Sequence, residues 1–346
     1  MLALYANESC KHSKSSCQIH HGANAWLEGD EFLRYVLQLQ GPFLATHCLH
    51  AAMYQQHFGL HEAPFGITPN PAFFYSGNTR GEILSALLYA VTQGEGIVKV
   101  TGEVGCGKTM LCRMLESRLP RGVDVLYLVN PTLGPQGVLH AIAAELGLNT
   151  RGQRADEVLR ALHTELIARH AAAHRVVLLV EEAQAMPLET LEEVRLLTNL
   201  ETASSKLLQI VLFGQPELDQ HLALPRMRQL RERITHSFNV PPMPREQIPY
   251  FLSHRLRAAG YHGPELFSRG AVKLIARGSQ GIVRRINVLA DKSLMAAYAE
   301  DLPFVNSYHV RQAIEDSRYS CAAVPGNRSM IVFDKLLATC FRRRTT

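Results

Sequence analysis

Short apolar runs and amphipathic stretches alternate through the middle of this chain. Ile97 to Thr101, Val123 to Val129, Val176 to Val180 and Leu207 to Phe213 are dominated by valine, isoleucine and leucine. Such continuous runs are the pattern of strands buried on both faces. Between them, Met110 to Leu119, Gly137 to Leu146, Ala155 to His170 and Leu188 to Leu200 repeat apolar residues at helical spacing, and Gly147 stops the second of these. Glu82 to Val91 is a further amphipathic helix ahead of the first strand. Alternating strand and helix predict an α/β fold with a parallel sheet flanked by helices.

The pattern changes at Pro241-Pro242-Met243-Pro244, because clustered prolines stop regular structure. Beyond it only helical spacing is found, over Glu246 to Ala259, Ser268 to Arg277, Val283 to Tyr298 and Ser307 to Arg318. These segments predict a small C-terminal all-helical lid. The expected organisation is an N-terminal extension over 1–52, a nucleotide-binding domain over 53–240, the lid over 241–319 and a mobile basic tail over 320–346. The tail ends in Arg342-Arg343-Arg344. Patterned sequence begins just after Met53, which is therefore the expected native start. Cys10, His12, Cys17, His20 and His21 lie close together in the extension, but their spacing fits no standard zinc pattern and no second pair follows.

Composition narrows the class without choosing the chemistry. The 346 residues are 47% hydrophobic and 19% charged, ordinary for a globular protein. Seven scattered cysteines are no disulfide framework. No apolar run approaches the ~20 residues of a membrane span, and no secretory signal opens the chain. The expected location is the cytoplasm, without direct membrane insertion. A net charge of +5 permits an anionic partner but does not demand one.

The chemistry centres on Gly102-Glu103-Val104-Gly105-Cys106-Gly107-Lys108-Thr109, which fits G-x-x-x-x-G-K-[ST]. It lies between a predicted strand and a predicted helix that begins with Met110, the order this phosphate-binding loop requires. Glycines let consecutive backbone N–H groups turn inward around a polyphosphate, and the positive end of the following helix adds to the attraction. Lys108 supplies charge for the β- and γ-phosphates of ATP, and the Thr109 hydroxyl is a ligand for Mg²⁺. The expected cofactors are ATP and Mg²⁺.

Other candidates lie at strand ends. Glu181 and Glu182 close the Val176 to Val180 run, where a carboxylate is needed near the metal and another near the attacking water. Glu181 is assigned to the metal and Glu182 to the water. Gln215 follows the Leu207 to Phe213 run and is placed to sense the γ-phosphate. Four arginines lie in Arg226 to Arg233; Arg231, with Arg233 as runner-up, is the candidate finger that reaches a neighbouring subunit's nucleotide. Arg284 opens a lid helix and can fold over the nucleotide, while Arg285 is a candidate for DNA-backbone contact. Prolines exclude a long helix from Pro64 to Tyr75. Phe65 and Tyr75 in that segment either wall an adenine pocket or pack under the sheet.

Together these features resemble the AAA+ ATPases, in the branch of the general secretion pathway protein A and MSHA pilus-biogenesis ATPases. The resemblance is carried by His57 to Leu60, Thr68-Pro69-Asn70, the phosphate loop, Arg195 to Thr202 and Gln209 to Leu218, and covers roughly residues 53 to 316. Glu181-Glu182-Ala183-Gln184 and Asn130-Pro131-Thr132 look most like the pilus type. Two departures stand out. Cys106 replaces the commoner threonine, and no membrane helix or peptidoglycan-binding module follows residue 316, as in the shorter pilus-type relatives. The resemblance implies a homo-oligomeric ATPase, with ATP sites shared between subunits, that serves an envelope assembly protein of a type IV pilus or type II secretion machine. It also leaves open a DNA-binding ATPase like the transposition regulators of the TnsC type, and a nucleotide-gated switch with little turnover.

Overall fold

The computed structural model describes residues 54–94, 96–202 and 205–321. The expectations for residues 1–52, for Met53 as the start and for the basic tail beyond 321 lie outside these. The described residues belong to one compact unit.

Five strands form a wholly parallel sheet: β1 (Ile97–Thr101), β2 (Val123–Leu128), β3 (Arg175–Val180), β4 (Leu208–Gly214) and β5 (Ile234–Asn239). Their order is β2-β3-β4-β1-β5. In the core the helices are α1 (Asn78–Gln93), α2 (Lys108–Arg118), α3 (Pro135–Glu145), α4 (Ala155–Ala171), α5 (Leu188–Leu197), α6 (Glu217–Ala223) and α7 (Arg228–Glu232). Past β5 come α8 (Ile248–Ala258), α9 (Arg269–Ser279), α10 (Val283–Ala299) and α11 (Ser307–Cys321). The only strand-like contact in that region, among the described residues, is an isolated bridge between Phe267 and Val305.

Strand β3 shows why its sequence is apolar from Val176 to Val180. Val176, Leu178 and Val180 pack on one side with α3, α4 and α5, while Val177 and Leu179 pack on the other with α1 and α2. A strand covered on both faces has no position left for a polar side chain. The two apolar layers bury Leu139, Ile142, Leu162 and Leu191 on one side and Leu84, Leu87, Leu111 and Leu115 on the other.

Three core elements were not expected from the sequence: β5, α6 and the five-residue α7. Strand β5, Ile-Thr-His-Ser-Phe-Asn, pairs with β1 alone, and its residues alternate between half-buried and exposed. An edge strand needs only a half-apolar pattern, so its polar residues masked it. Helix α6 is short and follows Pro216 directly, too brief a stretch for a clear period.

The register sets up the site. Thr101 of β1 lies opposite Gly214 of β4, and Val180 of β3 opposite Leu212. The carboxyl ends of three adjacent strands therefore finish together. The chain returns past β1 between β4 and β5, a reversal of strand order of the kind beside which open α/β sheets bind ligands.

Candidate functional site

The phosphate loop turns from β1 into α2, as its motif requires. Gly105 has φ +80°, and a Cβ there would lie 2.8 Å from the Arg284 Cβ, so both backbone and space call for glycine. Lys108 is buried, and its Nζ donates to the carbonyls of Gly102 at 2.7 Å and Glu103 at 3.0 Å. Burial lowers its pKa, with the Glu182 charge opposing. Cys106 turns its side chain into the core beside Leu111 and Leu115. Its carbonyl accepts from Arg80 Nη2 at 3.1 Å.

A cavity of about 360 Å³ opens beside the loop. Val104, Gly105, Gly107, Lys108, Thr109 and Met110 line one part of it. Phe73, Phe74, Tyr75 and Phe251 line another. Tyr75 thus faces the cavity. Phe65 does not line it: the ring is buried and meets Phe267 of the helical region edge-on, with centroids 5.9 Å apart. Phe65 thus packs neither on the cavity nor under the sheet but against the helical region.

Glu182 also lines the cavity, at the tip of β3, with φ +53°. Gln184 Nε2 donates to its Oε2 at 2.6 Å and Gln215 Nε2 donates to the same oxygen at 2.8 Å. Gln184 Oε1 accepts from the Gln215 backbone N–H at 2.9 Å, closing a small network. Partial burial pushes the Glu182 pKa up, but the two amides and the nearby Lys108 charge outweigh it, and the net shift is downward. Gln184 is a site residue the sequence reading did not single out, although it stands two residues after Glu182. Glu181 is half-buried and is not among the lining residues. Its charge is felt at Cys112, whose thiol pKa is raised first by burial and then by Glu181.

Arg284 lines the cavity, and its backbone N–H donates to Gly105 O at 3.0 Å, joining the first turn of α10 to the phosphate loop. Arg231 is exposed on α7, away from the cavity. Arg233 precedes β5 and donates to Thr198 Oγ1 at 2.7 Å. Arg285 donates to Gln280 Oε1 at 3.2 Å.

Two lining cations were missed because nothing local announces them. Arg80 is 7% exposed on α1, and burial lowers its pKa. Arg255 on α8 donates to Pro64 O at 2.6 Å and Gly66 O at 3.2 Å, and its guanidinium lies 4.7 Å from the centre of the Phe73 ring. Burial pulls its pKa down to about 10. Arg80, Lys108 and Arg255 all donate to backbone carbonyls. With Arg284 they make four cations in a cavity whose one acidic lining residue is Glu182. That charge balance, with an aromatic wall, suits a polyanion carrying a flat ring. A larger cavity, about 700 Å³, lies at the opposite ends of the strands beside Arg175, Lys206 and Arg233. It has no phosphate loop.

Comparison with known proteins agrees with this geometry. Residues 91–222 match the AAA domain family. Over 248 residues the chain is 43% identical to general secretion pathway protein A of Aeromonas hydrophila, covering 71% of this chain and 45% of the relative. The chain thus spans about half the length of that relative. Among solved structures, the ADP form of the Aeropyrum pernix ORC2 protein superposes with a TM-score of 0.57 at 17% identity, covering 73% of this chain and 71% of the other. Cdc6p of Pyrobaculum aerophilum gives 0.56 at 18% identity, covering 75% and 73%. These two likenesses show the fold alone. Fold and family match together give the chain an AAA domain over residues 91–222, built on the five-stranded parallel sheet. Within that class the chain is similar, over 71% of its length, to general secretion pathway protein A.

Proposed function

We propose that the chain binds and hydrolyses ATP as an assembly factor for a cell-envelope machine, of the type II secretion or MSHA-type pilus kind. The observation that carries hydrolysis is the Glu182 carboxylate, held by Gln184 and Gln215 in the cavity that Lys108 lines. Both amides end on Oε2, so Oε1 is the oxygen presented to take a proton from water. Lys108 and Arg284 bind and orient the phosphates, and the aromatic wall with Tyr75 receives the base. Among the described residues no group of three or more His, Cys, Asp or Glu is set to hold a metal. Mg²⁺ held by a nucleotide needs only one or two protein ligands beside the phosphates; Thr109 lines the cavity and would supply one, and Glu181, at the end of β3 but outside the lining, would act through an intervening water. Bound there, the ion would neutralise part of the developing phosphate charge.

The envelope role rests on the likeness to general secretion pathway protein A. No helix among the described residues is long and apolar enough to cross a membrane. We place the chain at the cytoplasmic side, reaching the inner membrane through a partner protein, with residues 241–319 as a lid over the nucleotide. In a homo-oligomer the exposed Arg231 reaches a neighbour's site. The test is ATPase rate and mass with ATP or ADP, with and without duplex DNA. ATP-dependent oligomers indifferent to DNA are expected. Assembly or turnover appearing only with DNA would replace this reading with a DNA-binding ATPase. Tight ATP binding without turnover would replace it with a switch. An Arg231→Ala protein should regain turnover when mixed with Lys108→Ala; no rescue would remove Arg231 as the finger.

A further inference from the structure

Asn287 is three residues beyond Arg284 on α10, one helical turn along the same face. Its side chain is 6% exposed and lines the nucleotide cavity. Nδ2 donates to the carbonyl of Gly66 at 3.4 Å, while Oδ1 is buried with no hydrogen-bond partner. The orientation of the amide is fixed by chemistry. Turned over, it would set Oδ1 against Gly66 O, two acceptors face to face. Buried acceptors are nearly always satisfied, so an orphan beside a cavity asks what donor arrives there.

The position says which part of a nucleotide that is. Gly66 O also accepts from Arg255 Nη2 at 3.2 Å, and the Arg255 guanidinium lies 4.7 Å from the Phe73 centroid and 5.9 Å from that of Phe251. Asn287 therefore borders the aromatic end of the cavity. At C6 a purine offers either an amine, as adenine does, or a carbonyl oxygen, as guanine does. Oδ1 complements the first and repels the second.

We propose that Asn287 selects the base, its Oδ1 accepting from the 6-amino group of adenine. The assignment rests on the nucleotide reading of the cavity. Binding of ATP, GTP, purine riboside triphosphate (which lacks the amine) and 2′-deoxy-ATP would be measured by calorimetry on the full chain, for the native protein, Asn287→Leu and Asn287→Ser. The native protein should prefer ATP over purine riboside triphosphate and GTP by about tenfold or more. Asn287→Leu should bind all three within about twofold, with its loss confined to ATP. Asn287→Ser, which keeps an oxygen acceptor with less bulk, guards against a leucine that fails to fold, and should retain part of the preference. A native protein with no preference for the amine overturns the proposal. So does a leucine variant that keeps the preference, or one that loses instead the discrimination against 2′-deoxy-ATP, which would assign Oδ1 to the ribose. A native protein that binds none of the four, or a Lys108→Ala protein that binds them normally, strikes at the nucleotide reading itself.

Discussion

The phosphate end and the aromatic end of the cavity are built in opposite ways. At the phosphate end, the residues from Val104 to Met110 are contiguous, and one strand–loop–helix turn sets their geometry. At the aromatic end, Gly66, Phe73, Phe251, Arg255 and Asn287 come from three separate stretches and meet only because the helical region packs over the segment before α1. Contiguous residues are placed by local backbone preference. Distant ones are placed by a buried arginine, a shared carbonyl and ring packing. Damage at the first end should abolish function with little loss of fold, whereas damage at the second should weaken both together.

Lys108→Ala tests the first half of that contrast and should have the largest effect. It removes the loop's cation and should lower nucleotide affinity about 100-fold or more, read by calorimetry, with the melting temperature little changed. Normal ATP binding would end the phosphate-site assignment. Glu182→Gln should come next: nucleotide still binds, but steady-state turnover falls about 100-fold or more, the usual scale for a lost general base. Unchanged turnover would move that role to another group.

Arg255→Met probes the aromatic end. It leaves the Pro64 and Gly66 carbonyls without their guanidinium, and chemical denaturation should show about 2–4 kcal/mol lost. Affinity for ATP should drop about tenfold, but affinity for inorganic tripolyphosphate should hold. Equal losses for both ligands would mean the two ends are not separable. Gly281→Ala should cost about 1–3 kcal/mol. Its φ is +78°, and a Cβ would lie 2.4 Å from Met243 O at the joint between the sheet and α10. No loss of stability there would show that this joint yields easily.

The smallest expected effect is with pH. The Glu182 pKa lies below the ordinary glutamate value of 4.5, because the Gln184 and Gln215 amides and Lys108 outweigh the opposing effect of burial. A depressed folded pKa contributes stability that is present above 4.5 and is lost as pH falls through the lowered value. The stability difference between the native protein and Glu182→Gln should therefore be constant from neutral pH to about 4.5 and shrink below it. A difference that shrinks well above that value would mean the amides do not hold the carboxylate.

Much of the fold was legible because burial on both faces writes a continuous apolar run. Strands β1 to β4 and helices α1 to α5 all follow from that rule and from helical spacing. Strand β5 escaped because an edge strand obeys a weaker one. The residues of the phosphate loop were legible for a related reason, since a glycine-rich turn into a helix is dictated within eight residues. The Glu181-Glu182 pair was visible in the sequence, and two separate roles were assigned to it there. The fold is what shows that Glu182 lines the cavity and Glu181 does not.

What the sequence determined by itself was strands β1 to β4, helices α1 to α5 and the glycine-rich turn between β1 and α2, because each depends on neighbours along the chain. What only the tertiary structure decided was the rest of the cavity. Arg80, Gln184, Arg255 and Asn287 have no local signature, and Phe65 and Tyr75, ten residues apart on one segment, go to different surroundings. Their roles arise from which carbonyl, ring or carboxylate lies opposite after folding, and long-range packing alone supplies that partner.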